Sequence, residues 1–343
     1  MQQTPETATG RRIDLAALHS RVTLSDVSRY YRAHRVPASR QWWLIALIVG
    51  GYLIGQAVLV NIYLPLAGLG PEANRSVYGV ILIATGAYAL FLMWLIWRNA
   101  SRQVRLDRTA AANGLEYADR SAIYGSGGSA LDILHNRMTA DMISSPPQAG
   151  GVEFDAGTFG PIPGFTLRRM GFVRLRLDRE VPHIVLLNRR SRVLRTTGSR
   201  FLQTQRLRLE GDFDRTFSLF CPEGYERDAL YLFTPDLMAL LLDVASDCEV
   251  ELVGSRLVLY RGSPWKLWRP RRFASVLALV DALAPKVQRQ TSRYQDDHAD
   301  AYRQVVASAG RRLRVRPSAG TILSMAFPIV SMAVGLLAWL GIL

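Results

Sequence analysis

Cysteine and lysine are nearly missing from this chain. Two cysteines, Cys221 and Cys248, stand among 343 residues, with no CxxC and no metal-ligand spacing around them. That excludes a disulfide-stapled scaffold and a cysteine-rich zinc module. The only lysines are Lys266 and Lys286, so arginine carries nearly all of a formal net charge of +14. Codon bias in a GC-rich genome produces such a skew, and the high isoelectric point is therefore discounted as a sign of nucleic-acid binding. A phosphate-cradling glycine loop is also missing: YGSGGS at 124–129 neither satisfies GxGxxG nor precedes a Walker lysine, and it reads as a linker. No cleavable signal peptide is expected, because the first apolar stretch starts too late and runs too long.

Charge is missing from three long stretches, 42–63, 77–97 and 321–343. About 22 residues make roughly 33 Å of helix, enough for a hydrocarbon core of ~30 Å. The expected fold class is a multi-pass α-helical membrane protein with three transmembrane helices and an α+β cytoplasmic domain on an antiparallel sheet. Trp42, Trp43, Tyr63, Trp94 and Trp97 sit where interfacial aromatics belong. Arg29, Arg32, Arg35 and Arg40 precede the first stretch; Arg98, Arg102, Arg105 and Arg108 follow the second; Arg311, Arg312, Arg314 and Arg316 precede the third. The positive-inside rule then predicts a plasma-membrane protein with its N-terminus and main domain cytoplasmic and its C-terminus at the outer face. The expected division is an N-terminal segment 1–40, a transmembrane hairpin 41–97, a cytoplasmic domain 98–320 and a last transmembrane helix 321–343. Gly51 and Gly55 form a GxxxG step for close helix packing, within the chain or onto partner helices. The stretches hold no Asp, Glu, Lys, Arg or His, which argues against a transporter or pump acting alone.

The densest local signals lie in 209–243. A strand is predicted at 214–220 and a turn at Cys221-Pro222-Glu223-Gly224. A second strand is predicted at 229–233, followed by a helix capped by Thr234 with Pro235 at its first position and Asp236 in its first turn. That helix is apolar on nearly every face, which predicts burial. Ahead of it, 172–177 alternates apolar and basic residues as a half-exposed strand does, and 183–187 is a short apolar strand. Behind it, 248–253 and 256–260 read as two strands joined by a Gly254-Ser255 hairpin turn. Helices are predicted at 25–35, within 98–120 with an end near Asn113-Gly114, from 276, and at 294–309.

The segment LEGDFDRTFSLFCPEGYERDALYLFTPDLMALLLD, with Glu210–Phe213, Tyr225–Asp228 and Thr234–Met238, resembles a family of uncharacterised actinobacterial membrane proteins, as does PHIVL at 182–186. The resemblance implies a membrane-anchored cytoplasmic domain and carries over no catalytic residue.

Several residue groups are candidates for chemistry. Glu210, Asp212, Asp214, Glu223 and Asp228 form an acidic cluster that would suit a divalent cation or an acid/base pair, or a solvated face paired with arginines. Cys221 with His183 would suit a thiol nucleophile and its base, or a turn and a strand end. In SPWKLWRPRRF, Trp265 and Trp268 stand beside Lys266, Arg269, Arg271 and Arg272, a pattern for a membrane interface with anionic headgroups or for buried tryptophans. No cofactor is implied and the metal question stays open. The expected function is non-catalytic: a membrane-anchored scaffold or regulatory domain binding a protein partner or anionic lipid, with no nucleic acid. The alternatives are a membrane-surface enzyme using the acidic cluster and an accessory subunit of a transport or envelope complex.

Overall fold

The computed structural model describes residues 13–34, 49–56, 71–122, 128–133, 138–146, 152–160, 169–191, 193–196, 201–209, 212–298 and 306–314. The chain divides into two compact units, His19–Arg108 and Met1–Leu18 with Thr109–Leu343.

The 19–108 unit is helical. Helix α1, Leu24–Ala33, starts on a capping box in which Thr23 Oγ1 accepts from the Asp26 N–H and Asp26 Oδ2 accepts from the Thr23 N–H. Helix α2 covers 49–56, and α3 runs Pro71–Ala112. Tyr31 Oη donates to Gln103 Oε1 at 3.2 Å, and Arg108 Nη2 lies 2.5 Å from Asp26 Oδ1. These bonds lay α1 along the polar end of α3. The Tyr52 and Tyr88 rings, 4.8 Å apart, join α2 to α3. Val80, Ile83, Leu90, Met93 and Trp94 are exposed along α3.

Among the described residues no helix is long and apolar enough to cross a membrane. This corrects the multi-pass fold class and its three transmembrane helices, and with them the plasma-membrane placement. Of the expected spans, 321–343 lies outside the described residues and 42–63 is described only at 49–56. The 77–97 stretch falls in α3. Helix α3 does not stop at the end of that stretch: it continues through Arg98, Arg102, Arg105, Asp107 and Arg108 to Ala112. The flanking arginines also have local roles: Arg98 lies over the Trp94 ring, Arg105 Nε donates to Ser20 O, and Arg108 pairs with Asp26.

The other unit is α+β on a seven-stranded antiparallel sheet, as expected for the main domain. The chain leaves α3 at Asn113-Gly114, where the Leu115 N–H reaches Ala110 O at 2.8 Å. In order follow β1 (Glu116–Ala122), α4 (Ser129–Ile133), β2 (Met138–Ser144), β3 (Phe154–Phe159) and β4 (Met170–Asn188). Next come α5 (Val193–Thr196), β5 (Arg206–Leu207), α6 (Asp212–Thr216), β6 (Phe217–Phe220), α7 (Glu226–Leu232), α8 (Pro235–Ala245), β7 (Cys248–Arg261) and α9 (Pro270–Ser292).

Strand β4 is the axis of the sheet. Its 19 residues join the two strands expected at 172–177 and 183–187. One edge pairs with β3 in its first half and with β6 in its last four residues; the other edge pairs with β7 along nearly its whole length. Residues 181–186 are buried throughout, because both faces are covered there. On one face lie α8 and α9, through Leu237, Leu241, Phe273, Val276 and Val280. On the other, Phe159, Phe172, Val185, Phe220 and Tyr260 close a second core with Leu131 of α4 and Leu313.

Four local expectations are corrected. The 248–260 stretch is one strand and no hairpin: Gly254 adopts φ +55° opposite Val181, where the register with β4 shifts, so the glycine serves a bulge. The strand expected at 214–220 is strand only over 217–220, with 212–216 helical, and in place of the strand expected at 229–233 stands the helix 226–232. Tyr225, Ala229, Leu232 and Phe233 are buried at helical spacing, and the acidic residues at both helix starts favour the N-terminal dipole. Helix α8 buries one stripe, Leu237, Leu241 and Ala245, and exposes much of the rest. The helix expected at 294–309 is absent from its described parts, which hold turns and no regular structure. The Thr234 cap holds, with Thr234 Oγ1 accepting from the Leu237 N–H, and so does the turn at Pro222–Tyr225.

Candidate functional site: a cationic cleft at the end of strand β4

A cleft of about 520 Å³ opens where β4 ends. At Asn188 the strand stops: its Oδ1 accepts from the Arg190 N–H at 2.7 Å and its Nδ2 donates to Ser246 O at 2.6 Å. This tight turn sends the chain through Ser191 into α5, which carries Arg195. Strand β5 returns along β6, with Arg206 opposite Phe220, and the Cys221 N–H donates to Gln205 O at 2.9 Å. The cleft is lined by Leu187, Asn188, Arg189, Ser191, Arg195, Phe201, Gln203, Arg206, Ser218 and Phe220. Three arginines and three apolar residues, Leu187, Phe201 and Phe220, thus line one opening. No carboxylate is among the described lining residues; the nearest paired one is Asp214, whose Oδ2 accepts from Arg206 Nη2 at 3.4 Å.

Buried polar atoms without partners gather around this opening. Ser191 Oγ and Arg206 Nε, on the lining, have no hydrogen-bond partner among the described residues. The same holds for Gln205 Oε1, Asp214 Oδ1 and Glu249 Oε1 just behind the walls. Folded proteins satisfy nearly all such atoms; these five lie on or beside the opening, and others lie elsewhere in the chain, at Ser101, Arg174 and Asp281.

Behind the cleft two glutamates of β7 point to the same sheet face. Glu249 Oε2 accepts from the Leu194 N–H at 2.7 Å and so pins α5. Glu251 is fully buried and accepts four hydrogen bonds. Ser129 Oγ and His183 Nε2 reach Oε1 at 2.5 and 2.6 Å, and the Ser129 N–H and Tyr260 Oη reach Oε2 at 2.8 Å each. Burial raises the Glu251 pKa and these hydrogen bonds bring it below the ordinary glutamate value. His183 Nδ1 accepts from the Leu313 N–H at 2.9 Å, so the ring proton sits on Nε2 and is donated to Glu251. Gly128, at φ +107°, passes so close that an added Cβ would lie 2.1 Å from Tyr260 Oη. Serine, histidine and glutamate are all present, but the serine bonds the glutamate and the whole set is sealed from solvent. It acts as a clasp on the core, joining 128–129, β4, β7 and 313.

The candidates named from sequence fall as follows. The acidic cluster does not converge. Asp212 pairs with Arg215 at 2.7 Å, Asp214 with Arg206, and Asp228 Oδ1 accepts from Tyr294 Oη at 2.9 Å. Glu223 is exposed and Glu210 lies outside the described residues. Among the described residues no group of three or more His, Cys, Asp or Glu is placed to hold a metal. Cys221 and His183 do not form a nucleophile and base: both ring nitrogens of His183 are engaged, and burial, helped by Glu226 and Asp228, pushes the Cys221 thiol up to about 12. Trp265 is buried, its Nε1 donating to Phe172 O at 3.1 Å and Arg261 lying over its ring, so it is a core residue and presents nothing to a membrane interface. Lys266, Arg269, Arg271 and Arg272 are exposed beside it and Trp268 is half-buried. An added Cβ at Gly51 or Gly55 would meet nothing within 4 Å, so the glycine step is not a contact between the described helices.

Sequence reading missed the cleft, Ser129, Glu249 and Glu251. The arginine-rich 189–206 stretch was the available signal for the first. For the glutamates the signal was two acids inside an otherwise apolar strand.

No protein-family model matches the chain, and no curated protein matches it in sequence. No family is assigned. Among solved structures it is similar to the crystal structure of the mycobacterial trehalose monomycolate transport factor A, TtfA, with a TM-score of 0.30 and 11% identity over 53% of this chain and 96% of that one. At that score the two are not shown to share a fold.

Proposed function

We propose that the sheet unit is a non-catalytic binding domain whose cleft takes an anionic amphiphile, a phosphate-class headgroup carrying an apolar portion. The supporting observation is that Arg189, Arg195 and Arg206 line one opening together with Leu187, Phe201 and Phe220. Guanidinium forks match the paired oxygens of phosphate-like anions. Leu187, Phe201 and Phe220 offer the apolar part a dry surface, and the volume is in the range of small-molecule sites. The headgroup chemistry is common to a free metabolite and to a lipid, so the test has two arms.

In the first arm the full chain is titrated calorimetrically with octyl phosphate, and with octyl glucoside as an uncharged control. In the second it is sedimented with phosphatidylglycerol or phosphatidylcholine vesicles. Saturable binding of octyl phosphate, weakened about tenfold or more in Arg195→Gln/Arg206→Gln, supports the reading. Anionic vesicle binding abolished by the same pair assigns the headgroup to lipid. An affinity unchanged by the pair, or no saturable binding in either arm, overturns it.

A further inference from the structure

Arg206 enters the cleft from strand β5, whose register sets it opposite Phe220 of β6. Strand β6 follows directly on α6, which carries Asp214. Phe213 of α6 is buried, and its ring lies 5.1 Å from that of Phe217, the first residue of β6. Asp214 is thus carried by an element packed in place, while the Arg206 guanidinium hangs on a long side chain with several rotatable bonds. The two meet in a single contact: Arg206 Nη2 lies 3.4 Å from Asp214 Oδ2. Arg206 Nε and Asp214 Oδ1, the atoms that would close a second bond, are both buried and have no hydrogen-bond partner among the described residues. A closed arginine–carboxylate pair has bonds of about 2.7–2.9 Å. This chain makes such pairs elsewhere. Arg215 Nη1 reaches Asp212 Oδ1 at 2.7 Å, and Arg174 reaches Asp155 Oδ2 through Nε at 2.8 Å and through Nη2 as well. The Arg206–Asp214 side chains are each 26% exposed, so both ions have lost much of their water for one long contact. In such a pair desolvation offsets much of the attraction, and exchanging the carboxylate for another anion costs little.

We propose that Asp214 is a built-in competitor of the cleft: its carboxylate and a bound anion take the Arg206 guanidinium in turn. This rests on the anion-binding reading of the cleft and adds the contact that limits its affinity. An anion in the cleft must either displace Asp214 from Arg206 or leave Arg206 unused. Two closed bonds from a guanidinium fork to a phosphate-class anion outweigh one long bond to Asp214. The displaced carboxylate then stands near the bound anion without its cation, and like charges repel. That repulsion and the lost pair are the cost which removing the Asp214 charge recovers.

The test uses inorganic sulfate, titrated calorimetrically into the full chain at fixed pH and ionic strength. Asp214→Asn keeps the size and removes the charge; it should bind sulfate about three- to tenfold more tightly than the wild type. In Arg206→Gln, which binds more weakly, adding Asp214→Asn should change the affinity by less than about twofold, because the contested group is gone. Asp212→Asn, on the same helix but exposed and paired with Arg215, should also stay within about twofold, which separates competition from a general gain in positive charge. A damaged fold cannot produce a gain. Urea unfolding checks that each variant is native, and Asp214→Ser replaces the asparagine variant if that one does not fold. Binding that appears only once Asp214 is neutral supports the proposal equally. With the wild type binding saturably, an unchanged or weaker affinity in the folded Asp214 variant overturns the competition and leaves the cleft standing. So does a gain matched by Asp212→Asn, or one that survives in Arg206→Gln. No saturable sulfate binding by the wild type or by Asp214→Asn would remove the cleft as an anion site and the competitor with it.

Discussion

His183 donates its Nε2 proton to Glu251 Oε1 across 2.6 Å while its Nδ1 accepts the Leu313 N–H at 2.9 Å. One imidazole thereby links the centre of the sheet to a segment 130 positions further along the chain. The carboxylate at its other side is satisfied by Ser129 and Tyr260 as well, so the core holds a charge whose lone pairs are all in use. A fully bonded buried charge is tolerated; removing it strands its donors.

Glu251→Ala is expected to destabilise the protein by about 3–5 kcal/mol, since Ser129, His183 and Tyr260 all lose their acceptor. Urea unfolding followed by circular dichroism measures it. A pH effect accompanies the loss. The folded state holds the Glu251 carboxyl below its ordinary value of 4.5. The unfolded chain therefore binds the proton more tightly, and the contribution is complete above an unfolded pKa near 4.5 and disappears as pH falls through the folded value. Wild-type stability should drop on acidification below about pH 4.5, and Glu251→Gln should show a smaller drop.

Gly128→Ala should cost about 2–4 kcal/mol, combining a left-handed backbone with a collision at Tyr260 Oη. Tyr260→Phe removes the oxygen in the way, at the loss of one bond to Glu251. The double variant should thus be more stable than the sum of the two single changes, because the second relieves part of the first. Strict additivity in a double-mutant cycle would show that the alanine is accommodated some other way.

The parts of the fold legible from sequence were those with local causes. Thr234-Pro235-Asp236 announces a helix start whatever surrounds it, Pro222 and Gly224 announce a turn, and Asn113-Gly114 a helix end. The antiparallel α+β class followed from the number of strand-like runs. The rest depended on partners distant in sequence. Gly254-Ser255 looks like a hairpin turn until β4 is seen running unbroken alongside it. Tyr225, Ala229, Leu232 and Phe233 carry a helical period that the strand expected at 229–233 passed over. The acidic run at 210–228 was conspicuous because the chain is so basic, and Asp212, Asp214 and Asp228 are bound one by one to Arg215, Arg206 and Tyr294. Glu249 and Glu251 stood out only as two acids in an apolar strand, and nothing local told what covers them, which is α4, α5 and the 313 segment.

Glu249 should act on stability in the sense opposite to Glu251. Its folded pKa, about 7, lies above its ordinary value of 4.5, so the folded state binds the proton more tightly than the unfolded chain. Its contribution is full below about pH 4.5 and is lost as pH rises to about 7. Glu249→Gln removes that loss. At pH 8 the variant should be more stable than the wild type by on the order of 3 kcal/mol, and near pH 4 the two should converge. Chemical denaturation at the two pH values decides it; an equal offset at both would place the effect in packing and not in charge.

The two thiols test the sealing of the core and the nucleophile reading together. Cys221 and Cys248 are both buried and free. Burial is the main force raising both, Cys221 to about 12, with Glu226 and Asp228 adding to it there and Asp247 adding to it at Cys248. Reactivity follows the thiolate fraction and access, and both are minimal here. A disulfide reagent at about pH 8 should therefore label neither cysteine in the folded protein over the time in which urea-unfolded chain is labelled completely. Slow labelling that scales with urea below the unfolding midpoint would report opening of the sheet. Rapid labelling of Cys221 in native conditions would mean a thiolate is being stabilised there, and would restore Cys221 as a nucleophile despite the engagement of both nitrogens of His183.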